Sequence, residues 1–471
     1  MNKKETEIII QRIELWYKRL PNLLIFDQKV FDAQFGWSKD PTSFDDRLSL
    51  DFKSIYEGDP WGEKWESAWF HLRGKISPKW AGKTVAANLD FSGEGLVYDK
   101  DGKILQGITN ASIWDPNFAR TRVSLIESCS GDETIELWVE AAANSLFGVF
   151  TDSDPEEDNP KRHGWFNAKV ETIKFGIFDI DLWHLYLDAR ILLGLIKRLD
   201  EDSVRRSRVV RSLNNCINVF SDDRKNTNSA RECLKEELSK SASESDLSVS
   251  AIGHAHIDTG WLWPVRETVR KSARTFATQL SIIEKYPDYI FGASQPQHYQ
   301  FMKDKYPELY KRIKDAVHSG NWEVQGGMWV EADCNLISGE SMVRQLLHGK
   351  NFFKDEFGVE VDNLWLPDVF GYSAALPQIL KKSGVNYFLT QKLSWSQFNE
   401  FPHHTFNWRG IDGTEILTHF PPENTYNSEL DTEFLLPAQK GFKEKDRIDE
   451  FISLFGVGNG GGGPKPENVE L

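Results

Sequence analysis

An alternation of imidazole and carboxylate side chains stands directly after an apolar run in the second half of the chain. Residues 247–252 are predicted to form a β-strand, and they lead into Gly-His-Ala-His-Ile-Asp-Thr-Gly-Trp-Leu-Trp at 253–263. Residues two apart in extended chain project to the same side, so His256 and Asp258 lie together at a strand end, where His254 can join them. One imidazole nitrogen and one carboxylate oxygen suit Zn²⁺, although the same spacing is also typical of a hydrogen-bonded core pair. The strand-end position favours the metal site.

A lone carboxylate stands at the end of a second apolar strand. Asp368 lies within Leu-Trp-Leu-Pro-Asp-Val-Phe-Gly-Tyr at 364–372, flanked by aromatic residues. Burying a carboxylate is costly unless it binds a cation or takes part in chemistry. The alternative role is an N-cap for the helix predicted near Leu376, but a cap would be expected several residues later in the chain. The pattern therefore favours a chemical role for Asp368.

Two further segments carry weaker signals. Glu-Ala-Asp-Cys-Asn at 331–335 follows a predicted strand and brings Asp333 to its end beside Trp329, although an ordinary loop carboxylate fits equally well. The run Gly-Val-Gly-Asn-Gly-Gly-Gly-Gly-Pro at 456–464 lets backbone approach a ligand closely, but it lacks the Gly-Lys-Ser/Thr of a phosphate loop. Taken alone, that run is interpreted as a flexible linker.

Strands and helices alternate in the structure predicted from residue 247 onwards. A glycine stands just past three of the helices, as expected for a left-handed C-terminal cap. The predicted strands cover residues 247–252, 289–293, 322–330, 363–366 and 387–390, and the predicted helices cover 269–283, 307–317, 339–357 and 376–383. Such alternation indicates a parallel sheet, open or closed into a barrel, whose site lies at the carboxyl ends of the strands.

The preceding half of the chain has three parts that differ in pattern. Residues 1–49 begin with apolar side chains at helical spacing and are predicted to form an N-terminal helical arm. Residues 50–178 contain short alternating apolar runs and an Asp-Gly hairpin signal at 101–102, which predicts a β-sandwich. Residues 179–246 return to helical spacing and end in a serine-rich stretch, which indicates a helical connector and linker. The predicted fold is therefore multi-domain: an N-terminal β-sandwich, a helical connector and an α/β catalytic domain over 247–471.

Composition excludes several classes of protein. The 471 residues exceed what a single core supports, and 56 basic against 71 acidic residues give a net charge of −15, which repels nucleic acid. No apolar run approaches the roughly 18 residues of a membrane helix, and the N-terminus lacks the hydrophobic region of a signal peptide. The four cysteines are too scattered for a disulfide framework or a thiolate zinc site. We therefore expect a cytoplasmic protein with no membrane or nucleic-acid partner.

Taken together and in this order, the four segments resemble glycoside hydrolase family 38, the α-mannosidases, and in particular its bacterial, fungal and cytosolic branch. The resemblance covers residues 247–471 through His-Ala-His-Ile-Asp-Thr-Gly-Trp-Leu-Trp, Gly-Gly-Met-Trp-Val-Glu-Ala-Asp and Trp-Leu-Pro-Asp-Val-Phe-Gly-Tyr. Segments 93–97 and 140–144 are similar to the β-domain of that branch. The resemblance implies a retaining enzyme that hydrolyses terminal α-mannosides.

The resemblance also implies the metal and the roles of individual residues. A single zinc ion, with cobalt as an alternative, would be held by His256, Asp258 and Asp368 together with a later histidine, and Asp368 would also be the nucleophile. Aromatic side chains around these motifs are candidates for stacking against the sugar: Trp261, Trp263, Trp329, Phe370 and Tyr372. The aglycone stays open between an oligosaccharide and a small mannosylated solute, and a homo-oligomer is among the options for assembly.

The chain departs from the family pattern at two points. Relatives often have an aspartate, a candidate general acid, where this chain has Asn459, and an amide cannot donate a catalytic proton. Asp333 is therefore the substitute candidate for the acid. Family members also continue beyond the position of Leu471 into the rest of the catalytic domain, so we expect this catalytic domain to be incomplete, and whether the chain alone is active stays open.

Two other classes of function are compatible with the residues. A catalytically degenerate homologue that holds mannosides without cleaving them is suggested by Asn459. A metal-dependent amidohydrolase or deacetylase is suggested only by the pair of His256 and Asp258.

Overall fold

The computed structural model describes residues 3–110, 118–144, 167–243, 246–458 and 460–471. Within these ranges an antiparallel β-domain, a helical module and an α/β domain follow one another, as the sequence predicts. None of the helices in the described ranges is both long enough and apolar enough to cross a lipid bilayer.

The β-domain is built from two antiparallel sheets that share a core. Its strands are β1 (Ile25–Val30), β2 (Asp32–Ser38), β3 (Phe52–Ser54), β4 (Pro60–Glu63), β5 (Ser67–Lys75), β6 (Val85–Asp90), β7 (Glu94–Asp99), β8 (Ile104–Thr109), β9 (Arg122–Ile126), β10 (Thr134–Ala142), β11 (Asn167–Lys169) and β12 (Thr172–Phe178). One sheet has the order β1-β12-β6-β9 and the other has the order β3-β2-β5-β10-β7-β8, while β4 pairs with β11. Phe70, Val97 and Phe175 bring both sheets into one apolar core.

Strands β1 and β2 lie in segment 1–49, for which the sequence predicts a helical arm. The helix is present as α1 (Lys3–Arg19), but the arm does not stay helical. Phe31, Ala33 and Phe35 alternate with polar residues and are all buried in the β-domain core. This period of two makes the segment a strand that completes the sandwich.

The hairpin predicted at the Asp-Gly pair 101–102 joins β7 to β8, which are antiparallel neighbours. Its connection spans residues 100–103, longer than the two-residue turn predicted, and within the pair only Gly102 has a positive φ. The Asp99 carboxylate accepts hydrogen bonds from the backbone N–H groups of Asp101 and Lys103, which stabilises the longer loop.

The helical module lies between the two larger domains. It comprises α2 (Ile180–Arg198), α3 (Val204–Phe220), α4 (Thr227–Glu232) and α5 (Lys235–Leu238), and α1 packs into the same core. Asp179 and Ser203 accept hydrogen bonds from the first turns of α2 and α3, so both helices start at side-chain N-caps.

The α/β domain contains two four-stranded sheets. Its strands are β13 (Ser248–His254), β14 (Phe291–Ala293), β15 (Trp322–Val324), β16 (Asn363–Leu366), β17 (Tyr387–Thr390), β18 (Thr405–Arg409), β19 (Glu415–His419) and β20 (Glu450–Phe455). Its helices are α6 (Val265–Lys285), α7 (Pro296–Lys305), α8 (Pro307–Ser319), α9 (Gly339–Phe357), α10 (Leu376–Lys382), α11 (Thr432–Gly441) and α12 (Pro466–Glu470). The sheet β15-β14-β13-β20 is wholly parallel, whereas in β16-β17-β19-β18 the last strand is antiparallel. The parallel sheet predicted from the alternation is therefore present.

The division into two sheets was not predicted, and it arises where the predicted strand 322–330 ends early, at Val324. Gly326 adopts a φ of 68°, and the N–H of Gly327 donates to the carbonyl of Asn363. The backbone thus leaves the first sheet and reaches the start of the second. Three predicted helix-ending glycines do have positive φ values, as a left-handed cap requires: Gly320, Gly358 and Gly384.

Helix α6 joins the α/β domain to the β-domain through buried charges. Lys271 Nζ lies 2.5 Å and Arg274 3.2 Å from the Glu94 carboxylate, while Arg270 pairs with Glu140. The full network contains three cations and three carboxylates, all buried: Glu94, Glu140, Glu267, Arg270, Lys271 and Arg274. Such a network is stable only while its charges balance.

We expect Glu94→Ala to destabilise the protein strongly, because it leaves Lys271 and Arg274 facing each other without their shared carboxylate. The expected loss in free energy of unfolding is about 3–5 kcal/mol, measured by urea denaturation. Glu360→Ala is the control, since Glu360 pairs with Lys354 at the surface and should cost less than about 1 kcal/mol. Equal losses in the two variants would contradict the importance of the buried network.

Candidate metal centre and active site

Three ligand-type side chains converge where strands of the two sheets end. His256 and Asp258 follow β13, Asp368 follows β16, and one donor atom of each lies within 4.8 Å of the others. His256 Nε2 lies 3.4 Å from Asp258 Oδ1 and 3.4 Å from Asp368 Oδ2. Tetrahedral ligands at about 2.1 Å from a zinc ion lie about 3.4 Å from one another. The donor types and their spacing therefore fit zinc.

Glu331 contacts the imidazole of His256 on its other side. Glu331 Oε2 lies 2.6 Å from His256 Nδ1, and the hydroxyl of Ser294 donates to Glu331 Oε1 at 2.5 Å. A metal-binding histidine commonly donates a hydrogen bond from one ring N–H to a carboxylate, which orients the ring and leaves the other nitrogen free to bind the metal. Glu331 is placed to do this, so that Nε2 points towards Asp258 and Asp368.

Asp368 is held by two groups from outside its own strand. Lys392 Nζ lies 2.8 Å from Oδ1, and the hydroxyl of Tyr426 donates to Oδ2 at 2.6 Å. Burial alone would raise the pKa of Asp368, but His256, Lys392 and Tyr426 together lower it below its ordinary value. Asp368 is consequently ionised at neutral pH, as a nucleophile or a metal ligand must be.

The balance of charge around His256 is negative. Burial lowers the pKa of His256, but the carboxylates of Glu331 and Asp258 outweigh burial and raise that pKa well above its ordinary value. Three carboxylates, from Asp258, Glu331 and Asp368, surround this one imidazole. A cluster of this composition favours a bound cation.

Helix α6 holds the loop that carries Asp258. The hydroxyl of Thr268, fully buried on α6, donates to the carbonyl of Asp258 and accepts hydrogen bonds from Gly260 N–H and the indole N–H of Trp263. Helix α6, which packs against the β-domain, thereby holds the loop that carries Asp258 in place.

His254, which the sequence allowed as a third member of the cluster, points elsewhere. Its Nδ1 lies 3.4 Å from the carbonyl of Gly292, and its Nε2 accepts the indole N–H of Trp365 at 3.4 Å. Burial and the neighbouring His256 lower the pKa of His254 to about 3. His254 is a neutral core residue outside the group of His256, Asp258 and Asp368.

Asp333, the substitute candidate for the acid, lies two residues beyond Glu331. Its Oδ1 accepts hydrogen bonds from the N–H groups of Asn335 and Leu336, so this oxygen caps a turn. Asp333 is not part of the metal-ligand group among the described residues. Asn459 lies outside the described residues.

The aromatic residues predicted to stack against a sugar separate into two groups. Trp263 is 4% exposed and lies under Lys271, so it offers no face to a ligand. Trp329 is half-buried and donates its indole N–H to Gln297, and the Tyr372 hydroxyl donates to the carbonyl of Val369. Their rings are partly used in internal packing.

Trp261 and Phe370 are the exposed members of the predicted set, at 47% and 61%. Phe370 contacts Trp395, a residue that the sequence analysis did not single out, with ring centroids 5.6 Å apart. Lys392 Nζ lies 3.6 Å from the Trp395 ring while it pairs with Asp368. Phe370 and Trp395 therefore form an exposed aromatic pair beside Asp368.

The described part of the glycine run is packed, which corrects its interpretation as a flexible linker. Arg120 of the β-domain donates to the carbonyls of Gly462, Gly463 and Pro464, and Gln279 donates to two of these carbonyls. The residues 461–463 have positive φ values, so glycine is needed for the path of the backbone here.

Several residues of the site were missed by sequence reasoning. Lys392 follows β17, a neighbour of β16, so its position at the same sheet edge was a usable signal. Tyr426 and Gln295 lie outside strands and helices, and their partners come from distant segments of chain. Glu331 lies in the segment 331–335, whose sequence pattern draws attention to Asp333 as the candidate acid and not to Glu331.

A cavity of about 790 Å³ opens beside Lys392, lined in part by Gln391, Leu393 and Glu423. Both carboxylate oxygens of Glu423 are shielded from solvent. Burial raises the pKa of Glu423 from its ordinary value of 4.5 to about 7. This carboxyl is therefore largely protonated in slightly acidic solution.

Residues 246–471 match the glycosyl hydrolases family 38 N-terminal domain, and residues 30–167 match the alpha-mannosidase jelly roll domain. Residues 246–471 are therefore a glycoside hydrolase family 38 domain, which confirms the predicted family.

Three relatives show how far the similarity extends. Alpha-mannosidase G of Dictyostelium discoideum is 38% identical over 430 residues, which is 91% of this chain and 39% of the relative. Alpha-mannosidase 2C1 of Homo sapiens is 38% identical over 424 residues, 89% of this chain and 40% of the relative. An alpha-mannosidase of Saccharomyces cerevisiae is 34% identical over 443 residues, 90% of this chain and 40% of the relative. The chain thus spans about 40% of the length of these relatives.

The raised pKa of Glu423 predicts a pH dependence of stability. The folded protein binds a proton that the unfolded chain releases between about pH 4.5 and 7, so stability falls as pH rises through this window. Glu423→Gln stays neutral at every pH. We expect it to match the parent near pH 4 and to exceed it by about 2–3 kcal/mol at pH 8 in urea unfolding. The same pH dependence in both proteins would contradict the assignment to Glu423.

Proposed function

We propose that this chain carries the metal-binding half of the active site of a zinc-dependent, retaining α-mannosidase that acts on terminal α-mannosides. The observation that carries the proposal is the convergence of His256, Asp258 and Asp368 within a family 38 domain. His256 Nε2 and one oxygen from each aspartate would hold zinc, with cobalt as a substitute. When bound, the metal supplies a Lewis acid that draws electron density from hydroxyl oxygens of the sugar.

Asp368 is the proposed nucleophile. In a retaining glycosidase a carboxylate attacks the anomeric carbon, the glycosidic bond breaks, and a second carboxyl protonates the departing oxygen; water then releases the sugar. The lowered pKa of Asp368 supports the first role, because the attacking group must be ionised. Lys392 and Tyr426 each hold one of its oxygens and so orient the carboxylate.

Asp333 remains the proposed proton donor, since it follows Glu331 in the same loop and has one oxygen that does not cap the turn. The exposed rings of Trp261, Phe370 and Trp395 are proposed to stack against the substrate, because apolar faces of sugars pack well on aromatic rings. The aglycone can be an oligosaccharide or a small mannosylated solute.

A second candidate function is mannoside binding without cleavage. It is favoured by Asn459, since an amide there cannot protonate a leaving group. Saturable binding of an aryl α-mannoside without release of the aryl alcohol would support it, whereas release with retained configuration supports the enzyme. The amide-cleaving alternative rests on His256 and Asp258 alone, and cleavage of an acetylated substrate would be needed to sustain it.

Asp368→Asn should abolish turnover in protein that hydrolyses an aryl α-mannoside, with a loss of about a thousand-fold or more in kcat, because the amide is a poor nucleophile. The fold should be retained, as judged by circular dichroism. Asp362→Asn is the matched control, since Asp362 is exposed and lies just before β16, at the opposite end from Asp368. Turnover at the parent rate in Asp368→Asn would refute its role as nucleophile.

Chelation should remove activity, and zinc or cobalt should restore it.

Glu331→Gln should weaken zinc binding by about 10- to 100-fold, because the amide orients and polarises His256 less well. Zinc affinity would be measured by competition with a chromophoric chelator. The control is Glu340→Gln, whose carboxylate pairs with Arg344 at the surface. Zinc affinity unchanged by Glu331→Gln would count against a metal on His256.

A further inference from the structure

Gln295 combines burial with an unfavourable backbone conformation. It joins β14 to α7 and has φ 63° and ψ 82°, in the left-handed region. Non-glycine side chains are disfavoured there, and the following Pro296 restricts the backbone further. Of the eight non-glycine residues with positive φ in the described ranges, Gln295 alone is buried, at 3% exposure. Strain of this kind persists only where surrounding contacts require it.

The side chain of Gln295 makes those contacts, and they reach both loops of the metal centre. Its Nε2 donates to the carbonyl of Ile257 at 2.9 Å, and its Oε1 accepts from the hydroxyl of Thr259 at 3.2 Å. The same Oε1 accepts from the backbone N–H of Glu331 at 3.3 Å. One amide therefore links the segment that carries His256 and Asp258 to the segment that carries Glu331.

The link through the Ile257 carbonyl bears on the placement of His256 and Asp258. Ile257 stands between His256 and Asp258, so the orientation of its peptide group governs how the two flanking side chains project. The Glu331 N–H belongs to the residue whose carboxylate contacts His256 Nδ1. A carboxamide carries a donor and an acceptor on one planar group, which neither a carboxylate nor an apolar side chain provides.

We propose that Gln295 is a positioning residue that sets the relative placement of His256, Asp258 and Glu331 for metal binding. This inference rests on the zinc centre proposed above. The described hydrogen bonds of the Gln295 amide go to Ile257, Thr259 and the backbone of Glu331 rather than to the side chains of His256, Asp258 and Asp368. Gln295 acts by holding the Ile257 carbonyl and the Glu331 N–H at a fixed separation, and the strained backbone is what brings its amide between the two loops.

Two substitutions of Gln295 and one control test the proposal on the whole chain. Gln295→Glu keeps the shape but replaces the donor to Ile257 with a negative oxygen. Gln295→Gly removes the amide while glycine adopts the positive φ without steric cost, so the fold is not strained by the change. Gln300→Ala is the control, because Gln300 lies on α7, which begins directly after Gln295, and bonds only Asp304 among the contacts described. Zinc affinity by chelator competition, the visible spectrum of the cobalt-loaded protein and the melting temperature are measured for each.

Both Gln295 variants should bind zinc about 10- to 100-fold more weakly than the parent and show an altered cobalt spectrum, while Gln300→Ala matches the parent. A merely structural role would move the melting temperature without changing the spectrum of folded, cobalt-loaded protein, and that result overturns the proposal. Parent-like affinity in both variants also overturns it and leaves the zinc centre standing. A parent that binds neither zinc nor cobalt overturns the zinc centre and the role of Gln295 together.

Discussion

The need to neutralise buried charge on α6 governs how this protein is assembled. Arg270, Lys271 and Arg274 project from one helix into the junction of two domains, where they are stable only because Glu94, Glu140 and Glu267 meet them. The same helix carries Thr268, whose hydroxyl holds the carbonyl of Asp258. The geometry of the loop that carries Asp258 therefore depends on an ion network contributed in part by another domain, and the β-domain is a structural component of the candidate site.

A second tie between the domains runs through the glycine run. Arg120 lies on the β-domain and donates to three successive carbonyls of residues 462–464, a contact that requires backbone to come close. Ile257, which lies between His256 and Asp258, forms a backbone bridge with Gly460. The described part of the glycine run thus lies next to the candidate site. Side chains of both the β-domain and the α/β domain hold it in position.

At the candidate metal centre, charges and hydrogen bonds favour particular protonation states of His256 and Asp368. Glu331 faces Nδ1 of His256, which leaves Nε2 for Asp258, Asp368 and a cation, while Lys392 and Tyr426 hold Asp368 as a carboxylate. The two other buried histidines nearby, His254 and His298, have their pKa lowered to about 3 by burial and by His256, so both are neutral. The charged neighbours of His256 and Asp368 therefore include Glu331 and Lys392, whereas the two other imidazoles nearby are neutral.

The sequence by itself determined many of the elements of the α/β domain and the first candidate ligands. Period-two alternation, helical spacing and capping glycines are local, so strands β13 to β17 and the pairing of His256 with Asp258 could be predicted, whereas β18, β19 and β20 were not. Asp368 stood out as a carboxylate in apolar surroundings. Only the tertiary structure decided which side chains complete the site. Lys392, Tyr426 and Gln295 meet their partners across 24 to 58 positions of chain. Trp263 turned inward because α6 and its lysine cover it. The division of the sheet after Val324 likewise depended on a hydrogen bond from Gly327 to Asn363, and no local pattern specifies contacts between segments so far apart.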